Sequence, residues 1–490
     1  MGAVDHIGVK GSQLAHNKGM GSRRSLLVLL LRRSLLVLLL LSSFPVAAAN
    51  VTFSEHIAPV LFKNCTGCHR PGEAAPFALM NYQDAKKHGR VIAAVTQSRF
   101  MPPWKAAVAS YPYRDERRLS NAEIELIAAW VKLGMPEGDT KKTPALPAFP
   151  TGWQLGPPDL VVKLPQPFAV PADGPDIYRN FVIPIELAAD QWVQAIELRP
   201  SSRSVVHHVL YFADTSGEAR KMAAETGGFN GMKVTRGTLP LGGWAVGAQP
   251  QRLPHGLALK LPKGSALVMQ YHFHPTGKAE TEESTIGLYF AKAAPERTLS
   301  SIQLPAAFGL FAGLRIPPGD ESYTVKESFV LPVDVEAIGV AAHAHYIAKH
   351  MKLTATFPDG QVKTLLAIND WDFAWQDRYL FADYVSLPKG TRLDGEVSWD
   401  NSTNNPRNPS SPPIEVTWGE QSKDEMGSVS LQVVPRQQAD LTVLLSAYRQ
   451  HTLMAAVEGM RRDPTLREKL MTHFGVQIPV IPPASDKPQR

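Results

Sequence analysis

Cysteine is almost absent from this chain, since only two occur in 490 residues. A disulfide-stabilised fold is therefore excluded, and the spacing of the two thiols has to serve another chemistry. Charged residues make up only 20% of the chain and hydrophobic residues 44%, which excludes an intrinsically disordered protein. No glycine-rich phosphate loop and no serine-nucleophile motif stands out. The length predicts two to four domains with sizeable cores.

The basic charge of the chain is concentrated at its N-terminus. Residues 1–49 carry six Lys or Arg and one Asp, which accounts for +5 of the formal charge of +6. The nearly neutral remainder gives no reason to expect a nucleic-acid partner. Within this stretch RRSLLVLLL occurs twice in tandem, and PVAAAN follows, a pattern typical of a secretory signal peptide cleaved near Ala49. An uncleaved membrane anchor is the alternative, but Arg32 and Arg33 interrupt the apolar run. We therefore expect a periplasmic or secreted protein with no membrane attachment after signal cleavage.

The pattern of apolar residues divides the rest of the chain into successive regions. Short helical patterns end with SNAEIELIAAWVKLG, in which Ser120 or Asn121 is the predicted N-cap. Further along, alternating apolar segments between Gly and Pro turns predict two β-sandwiches. The predicted fold is multidomain, with a small all-α domain at 50–138, a proline-rich linker at 139–176, two β-sandwich domains at 177–300 and 301–440, and a helical C-terminal extension and tail at 441–490.

Both cysteines lie in the motif CTGCH, as Cys65, Cys68 and His69. This spacing is typical of c-type haem attachment, in which the two thiols form thioethers with the haem and the adjacent imidazole binds the iron. A redox dithiol or half of a zinc site is the alternative, which the export signal and the lack of further cysteines disfavour.

An electron-carrying haem also needs a sixth iron ligand. Met101 is the preferred candidate because it lies on the proline-stiffened segment RFMPPWKA, well separated from His69. Its alternative role is that of a core methionine. The segment 51–138 resembles a class I cytochrome c domain, in which a loop methionine before the terminal helix is the usual distal ligand. The other candidates are Met80, His88 and Met135.

Histidines occur in pairs within the predicted β region. Residues i and i+2 of a strand share a face, so His343 and His345 could hold one metal ion together. The adjacent His207 and His208 could do so only at a bulge or at a strand end. For any single pair, solvated or core histidines are the alternative, but three pairs in one region favour metal binding. The third pair is His272 with His274.

Four segments resemble, in order, the ligand segments of the copper type II ascorbate-dependent monooxygenases, the family of the peptidylglycine hydroxylating and dopamine β-monooxygenases. The segments are VVHHVLYF, MQYHFHPTG, HAHYIAKHMKL and KDEMGSVSLQVVP. The resemblance implies two β-sandwiches of jelly-roll type, each holding one copper ion across a solvent-filled cleft. It implies His207, His208 and His272 as ligands of an electron-transfer copper, and His343, His345 and Met426 as ligands of the catalytic copper that binds dioxygen.

Ligand chemistry agrees with this assignment, since a thioether favours the Cu(I) state that meets dioxygen. We expect His274 to orient a ligand ring, with direct ligation as the alternative. The chain departs from the family in having no cysteine in the copper region. Ala341, Ser428 and Ser430 also do not offer the side chains with which the peptide-amidating enzyme holds its substrate, so a peptidylglycine substrate is not expected.

The combination predicts a periplasmic copper-dependent monooxygenase that hydroxylates a C–H bond of a small organic substrate with O2. One covalent haem c would relay electrons to two copper ions, and the external donor would be ascorbate or a periplasmic redox protein. One alternative is a copper- and haem-binding electron carrier or redox sensor without oxygenase activity. Another is a haem-only shuttle in which the histidine pairs are structural.

Overall fold

The computed structural model describes residues 51–73, 75–150, 152–231, 237–246, 248–254, 256–463 and 465–474. The predicted signal peptide and most of the predicted tail lie outside these residues. The described chain is mostly β-sheet, arranged in several sheets, with some helices. None of the helices within these ranges is long and apolar enough to cross a membrane.

The N-terminal helices pack around a small apolar core. A π-helical turn at Phe53–Ile57 leads into α1 (Ala58–Asn64), α2 (Tyr82–Gln97) and α3 (Asn121–Lys132). Helix α3 begins where the sequence predicts, with Ser120 as its N-cap. The Ser120 hydroxyl accepts from the backbone N–H of Glu123, and the Glu123 carboxylate accepts from the backbone N–H of Ser120. Ile127 and Trp130 of α3 are fully buried in this core.

The strands between residues 160 and 290 form two larger sheets that share one core. Tyr271 of one sheet and Leu288 of the other both lie in that core, as expected for the two packed sheets of a β-sandwich. The elements are β1 (Leu160–Lys163), β2 (Phe168–Val170), β3 (Ile177–Pro184), β4 (Gln191–Arg199), β5 (Val206–Asp214), α4 (Glu218–Met222), β6 (Gly228–Asn230), β7 (Thr238–Ala245), β8 (Leu259–Leu261), β9 (Ala266–Phe273), β10 (Glu280–Glu282) and β11 (Thr285–Phe290).

The strand order of this first sandwich is β6-β3-β9-β5-β7 in one sheet and β1-β11-β4-β8 in the other, with β10-β2 as a separate pair. Strands β1 and β2 lie inside the range predicted as a linker, at 139–176. They pair with β11 and β10 respectively, so the linker is shorter than the sequence predicts. Prolines flank both short strands, and because proline is rare within strands the sequence predicts a linker here.

A second pair of four-stranded sheets covers residues 300–435. Their orders are β12-β21-β15-β18 and β14-β19-β16-β17, and β13 pairs with β20. Two helices follow, α5 (Leu441–Arg462) and α6 (Thr465–Phe474), where the sequence predicts helical periodicity. The strands are β12 (Ser300–Leu304), β13 (Arg315–Ile316), β14 (Tyr323–Val330), β15 (Val335–Ala344), β16 (Ala348–Thr356), β17 (Val362–Ile368), β18 (Arg378–Leu387), β19 (Arg392–Trp399), β20 (Val416–Thr417) and β21 (Gly427–Pro435).

The segment between α2 and α3 binds the second sandwich directly. Tyr113 forms a β-bridge with Phe381, and its ring stacks on the Phe381 ring with centroids 5.6 Å apart. The Tyr113 hydroxyl donates to the carbonyl of Leu365, 252 positions along the chain, at 2.6 Å. The sequence predicts 50–138 as a self-contained all-α domain, and this segment instead packs into the second β core. Local periodicity carries no signal for a contact of such long range.

Candidate metal centre

The first histidine set lies on two neighbouring strands of the five-stranded sheet. His208 on β5 is directly opposite His272 on β9. The register of these strands shifts between Val206 and His208, which is the bulge that the sequence required if His207 and His208 were to share one ion. The structure thus brings together the three predicted residues of this set as a group that could hold a metal ion.

The Nδ1 atoms of the three imidazoles converge. His207 Nδ1 lies 3.1 Å from His208 Nδ1, and His272 Nδ1 lies 3.4 Å from the same atom. Imidazole nitrogens bind a transition metal at about 2.0–2.1 Å, so two of them at tetrahedral or trigonal angles are about 3.3–3.6 Å apart. The separation from His272 lies in this range, the separation from His207 is about 0.2 Å shorter than its lower end, and the ligand atoms of all three residues lie within 4.8 Å of one another.

The outer nitrogens of two rings face oxygen atoms. His207 Nε2 donates to the Phe373 carbonyl at 3.0 Å, and its ring stacks on the Phe373 ring. His272 Nε2 lies 3.2 Å from the Asp176 carboxylate without the geometry of a hydrogen bond. A proton held on Nε2 leaves the lone pair on Nδ1, so the Phe373 contact selects this tautomer for His207, and the negative charge of Asp176 favours it for His272.

Burial keeps the rings neutral. Desolvation, with the neighbouring His272, lowers the pKa of His207 to about 3, and desolvation also lowers the pKa of His208 far below its usual value. Neutral imidazole is the form that binds metals. The ligand form is therefore maintained well below neutral pH.

The second histidine set lies at the end of β15. His343 Nδ1 contacts the Gln376 side-chain oxygen at 2.5 Å, and His345 Nδ1 contacts the Asp424 carbonyl at 3.1 Å. Both acceptors hold the proton on Nδ1 and leave Nε2 as the free nitrogen. Burial lowers the pKa of His343 to about 4.

Met426 immediately precedes β21, the strand that pairs with β15. His343 is opposite Ser428 and Ala344 is opposite Gly427, which is the last pair of this ladder. Met426 is 2% exposed and belongs to the apolar core of the second sandwich. The grouping of Met426 with His343 and His345 stays a prediction.

Glu425 fixes the backbone at this site. Its fully enclosed carboxylate accepts from the backbone N–H groups of His345 and Ile347 at 3.0 and 2.7 Å, and from the Trp399 indole at 3.0 Å. Burial raises the pKa of Glu425 to about 8, although these donors act in the opposite direction. No motif in the sequence marks this residue.

The two histidine sets are in contact with each other. The His208 and His343 ring centroids are 6.2 Å apart, in an edge-to-face arrangement. The Phe373 ring lies between the sets, with centroids 4.2 Å from His207 and 5.8 Å from His345. At this point the two sandwiches touch, whereas the resemblance implies copper sites separated across a solvent-filled cleft.

His274 occupies a position outside the converging group. Its side chain is 47% exposed and its Nδ1 lies 2.7 Å from Asp176. Asp176 also accepts from Ser422 of the second sandwich. Burial alone would raise the pKa of Asp176, but the neighbouring His272 and Ser422 side chains hold the pKa of this carboxyl well below its usual range. The arrangement agrees with the prediction that His274 orients a ligand rather than binds.

The CTGCH motif follows α1. His69 Nδ1 lies 3.0 Å from the Phe77 carbonyl, which leaves Nε2 free to bind iron. Cys65 and Cys68 are free thiols. Burial raises the pKa of Cys65 to about 12 and also raises the pKa of Cys68. Redox dithiols require a thiol with a low pKa, so these raised values disfavour that alternative.

The candidates for the sixth iron ligand occupy different surroundings. Met101 is half-buried on the loop after α2, and its N–H donates to Val95 at 3.0 Å. The His88 ring stacks on Phe77 with centroids 3.9 Å apart, and Phe77 in turn contacts the His69 ring. The Met135 sulfur packs over the α-carbon of Gly89, in the helical core. Met80 donates its N–H to Asp84.

A small cleft of about 80 Å³ lies between the CTGCH segment and the first sandwich. Cys68 and Glu73 line one side of it, and Arg203 and Val246 line the other. Arg203 crosses the cleft and donates to Glu73 at 2.8 Å. The Val246 N–H donates to the His207 carbonyl at 3.3 Å, so one hydrogen bond separates the lining of the cleft from the first histidine set.

No family model and no curated protein matches the chain. Similar solved structures include the major capsid protein P2 from bacteriophage PM2, with a TM-score of 0.25 and 11% identity over 56% of this chain and 97% of that chain. They also include PNGF-II, with a TM-score of 0.24 and 11% identity over 54% and 60% of the two chains. PNGase F, a glycosylasparaginase from Flavobacterium meningosepticum, has a TM-score of 0.23 and 9% identity over 57% of this chain and 97% of that chain. Similarity at this level carries no argument about function.

Proposed function

We propose that this chain is an exported copper-dependent monooxygenase of the copper type II ascorbate-dependent class, fused to a cytochrome c unit. It would hydroxylate a C–H bond of a small organic substrate with O2 in the periplasm. The observation that carries the proposal is the convergence of the His207, His208 and His272 Nδ1 atoms. The contact between this set and the second set departs from the separated sites of that class.

The two donor sets suit different copper roles. Three neutral imidazoles suit an ion that exchanges electrons, and two imidazoles with the Met426 thioether suit Cu(I). Bound copper would supply one-electron storage and dioxygen activation, and bound haem would supply electrons. The chain's own contribution is orientation, because the Phe373 carbonyl and Gln376 each hold one ring in its metal-binding tautomer, and the Asp176 carboxylate lies beside a third ring, that of His272.

The residues of the CTGCH motif fit a covalent haem. Burial keeps both thiols protonated, and the Phe77 carbonyl turns His69 so that Nε2 is available to iron. Cys68 lines the same cleft as Val246, whose N–H binds the His207 carbonyl. A haem attached there would be close to the backbone of the first histidine set, which favours electron relay within one chain.

Metal analysis and oxygen uptake test the proposal. The wild-type chain should hold two copper ions and one haem. Met426→Leu, which nearly preserves volume, should lose substrate hydroxylation and retain the haem spectrum and the copper of the three-histidine site. Met269→Leu is the matched control, because Met269 is equally buried in the other core. If the fully loaded chain consumes no oxygen with any reductant and substrate in a broad panel, the monooxygenase assignment fails and the electron-carrier alternative takes its place.

A further inference from the structure

The segment Ala306–Ala312, which joins β12 to β13, packs against the second histidine set. The Phe308 ring contacts the His343 ring edge-to-face, with centroids 5.2 Å apart. A β-carbon added to the next residue, Gly309, would lie 3.4 Å from the carbonyl oxygen of Gly427, the first residue of β21. The segment therefore contacts both β15 and β21, at the ends where the predicted ligands of the catalytic copper lie.

The backbone of this segment is strained at two positions. Ala307 has φ 50° and ψ 43°, and Phe308 has φ 54° and ψ 34°, so both residues lie in the left-handed region. A residue with a β-carbon is disfavoured there, and such a conformation persists only where surrounding contacts enforce it. The contact between Phe308 and His343 thus depends on other parts of the chain that hold the segment in place.

Helix α5 contacts the segment through Tyr448. The Tyr448 hydroxyl donates to the Gln303 carbonyl and accepts from the Gln303 backbone N–H, both at 2.9 Å. The side-chain oxygen of Gln303 accepts in turn from the backbone N–H of Phe308 at 3.3 Å. A single residue of β12 therefore connects the helix to the strained position that carries the aromatic ring.

Two further contacts with the segment lie on the same face of α5. His451 Nε2 lies 2.5 Å from one carboxylate oxygen of Glu327, and the other oxygen accepts from the backbone N–H of Ala306 at 2.8 Å. A β-carbon added to Gly459 would overlap the Phe311 carbonyl oxygen, so the helix backbone lies directly against the segment there. Positions 448, 451 and 459 share one helix face, because they are 3 and 11 residues apart from the first.

We propose that α5 is a clamp that holds the segment in its strained conformation, and that Phe308 is thereby a positioning residue for the His343 ring. Gln376 contacts Nδ1 of this ring, and the edge-to-face contact with Phe308 limits its rotation. A ligand ring that is already ordered loses less freedom when a metal binds, so its affinity is higher. The inference rests on the proposed function for its consequence, which is that the C-terminal helix sets the copper affinity of the second set.

The test uses Tyr448→Phe in the full haem-loaded chain. This change removes both hydrogen bonds of the hydroxyl and keeps the ring. Hydrogen exchange of the backbone amides in 306–312 should accelerate about tenfold. Cu(I) affinity of the second set should fall about three- to tenfold by chelator competition, measured in a His208→Ala background that lacks the first site. Tyr111→Phe is the matched control, because Tyr111 is also partly buried against the core of the second sandwich, where it packs on Phe381.

Two further variants separate the clamp from general stability. Glycine adopts the left-handed region readily, so a segment with Ala307→Gly should no longer need the clamp. Added to Tyr448→Phe, Ala307→Gly should restore slow exchange and return the copper affinity to within about twofold of the wild-type value. Phe308→Leu should lower the copper affinity and broaden the Cu(II) spectrum of the second set, and Phe308→Tyr, which retains the aromatic ring, should restore both.

Unchanged exchange of the segment in Tyr448→Phe overturns the inference. Faster exchange with unchanged copper affinity also overturns it, because Phe308 would then not position His343. Failure of Ala307→Gly to rescue Tyr448→Phe overturns the role of the strained backbone. A wild-type chain that binds no copper at the second set refutes the proposed function alone. The clamp is then decided in the metal-free chain by exchange and by the NMR signals of the His343 imidazole, which should shift in Tyr448→Phe and not in Tyr111→Phe.

Discussion

Replacing Asp176 with asparagine should weaken metal binding at the three-histidine site without removing a ligand. The carboxylate lies 3.2 Å from His272 Nε2 and 2.7 Å from His274 Nδ1, and it also accepts from Ser422. An asparagine amide has one acceptor oxygen instead of two, so the His272 ring loses orientation and basicity. Loss of such an outer partner typically costs 10–100-fold in metal affinity, which corresponds to about 1.4–2.8 kcal/mol.

The assay is competition for Cu(I) against a chelator, with the Cu(II) spectrum recorded in parallel. His274→Ala is the matched comparison, because it removes an exposed partner of the same carboxylate and leaves the Asp176 contact with His272 intact. We expect His274→Ala to change copper affinity about threefold or less and to retain the copper stoichiometry, since only a lesser outer contact is lost. If Asp176→Asn binds copper as tightly as wild type, the orienting role is refuted. If His274→Ala loses a whole ion, His274 is a ligand.

Three further predictions concern the haem and its junction with the sandwich. Met101→Ala should abolish the sulfur-to-iron absorption band in the optical spectrum, and His88→Ala should retain it. A wild-type spectrum without this band, together with a haem spectrum that changes in His88→Ala but not in Met101→Ala, would assign the iron to His88. In the haem-free chain Cys65 should be alkylated slowly at pH 8, because burial raises the pKa of its thiol to about 12 and little reactive thiolate is present at pH 8. Mass spectrometry should show that the alkylation rate rises with pH and on unfolding. Arg203→Ala should slow flash-induced electron transfer from haem to copper, and Glu73→Gln should slow it to a smaller extent. Equal rates in the wild type and both variants would show that the Arg203–Glu73 contact does not contribute to electron transfer.

Strand geometry made part of the metal centre predictable from the sequence. The i, i+2 spacing of His343 and His345 requires one shared face, and adjacent His207 and His208 could converge only at a bulge, which the register shows. The N-cap at Ser120 was predictable for the same reason, because it is a local pattern.

The partners of the histidines could not be predicted in this way. Phe373, Gln376 and Asp176 contact the rings only after distant segments come together, and the sequence showed Phe373 and Gln376 simply as part of an aromatic-rich stretch.

One contact makes the first histidine set depend on the second sandwich. The Phe373 carbonyl, which orients His207 of the first sandwich, belongs to the second. Asp176, which orients His272, binds the Ser422 backbone and hydroxyl two residues before Asp424, and the Asp424 carbonyl orients His345. The tautomer of His207 therefore depends on docking of the two sandwiches, whereas Gln376 and Asp424 orient His343 and His345 from within their own sandwich. A metal ion that binds through His207 Nδ1 should then stabilise the docked state, because binding and docking are thermodynamically linked.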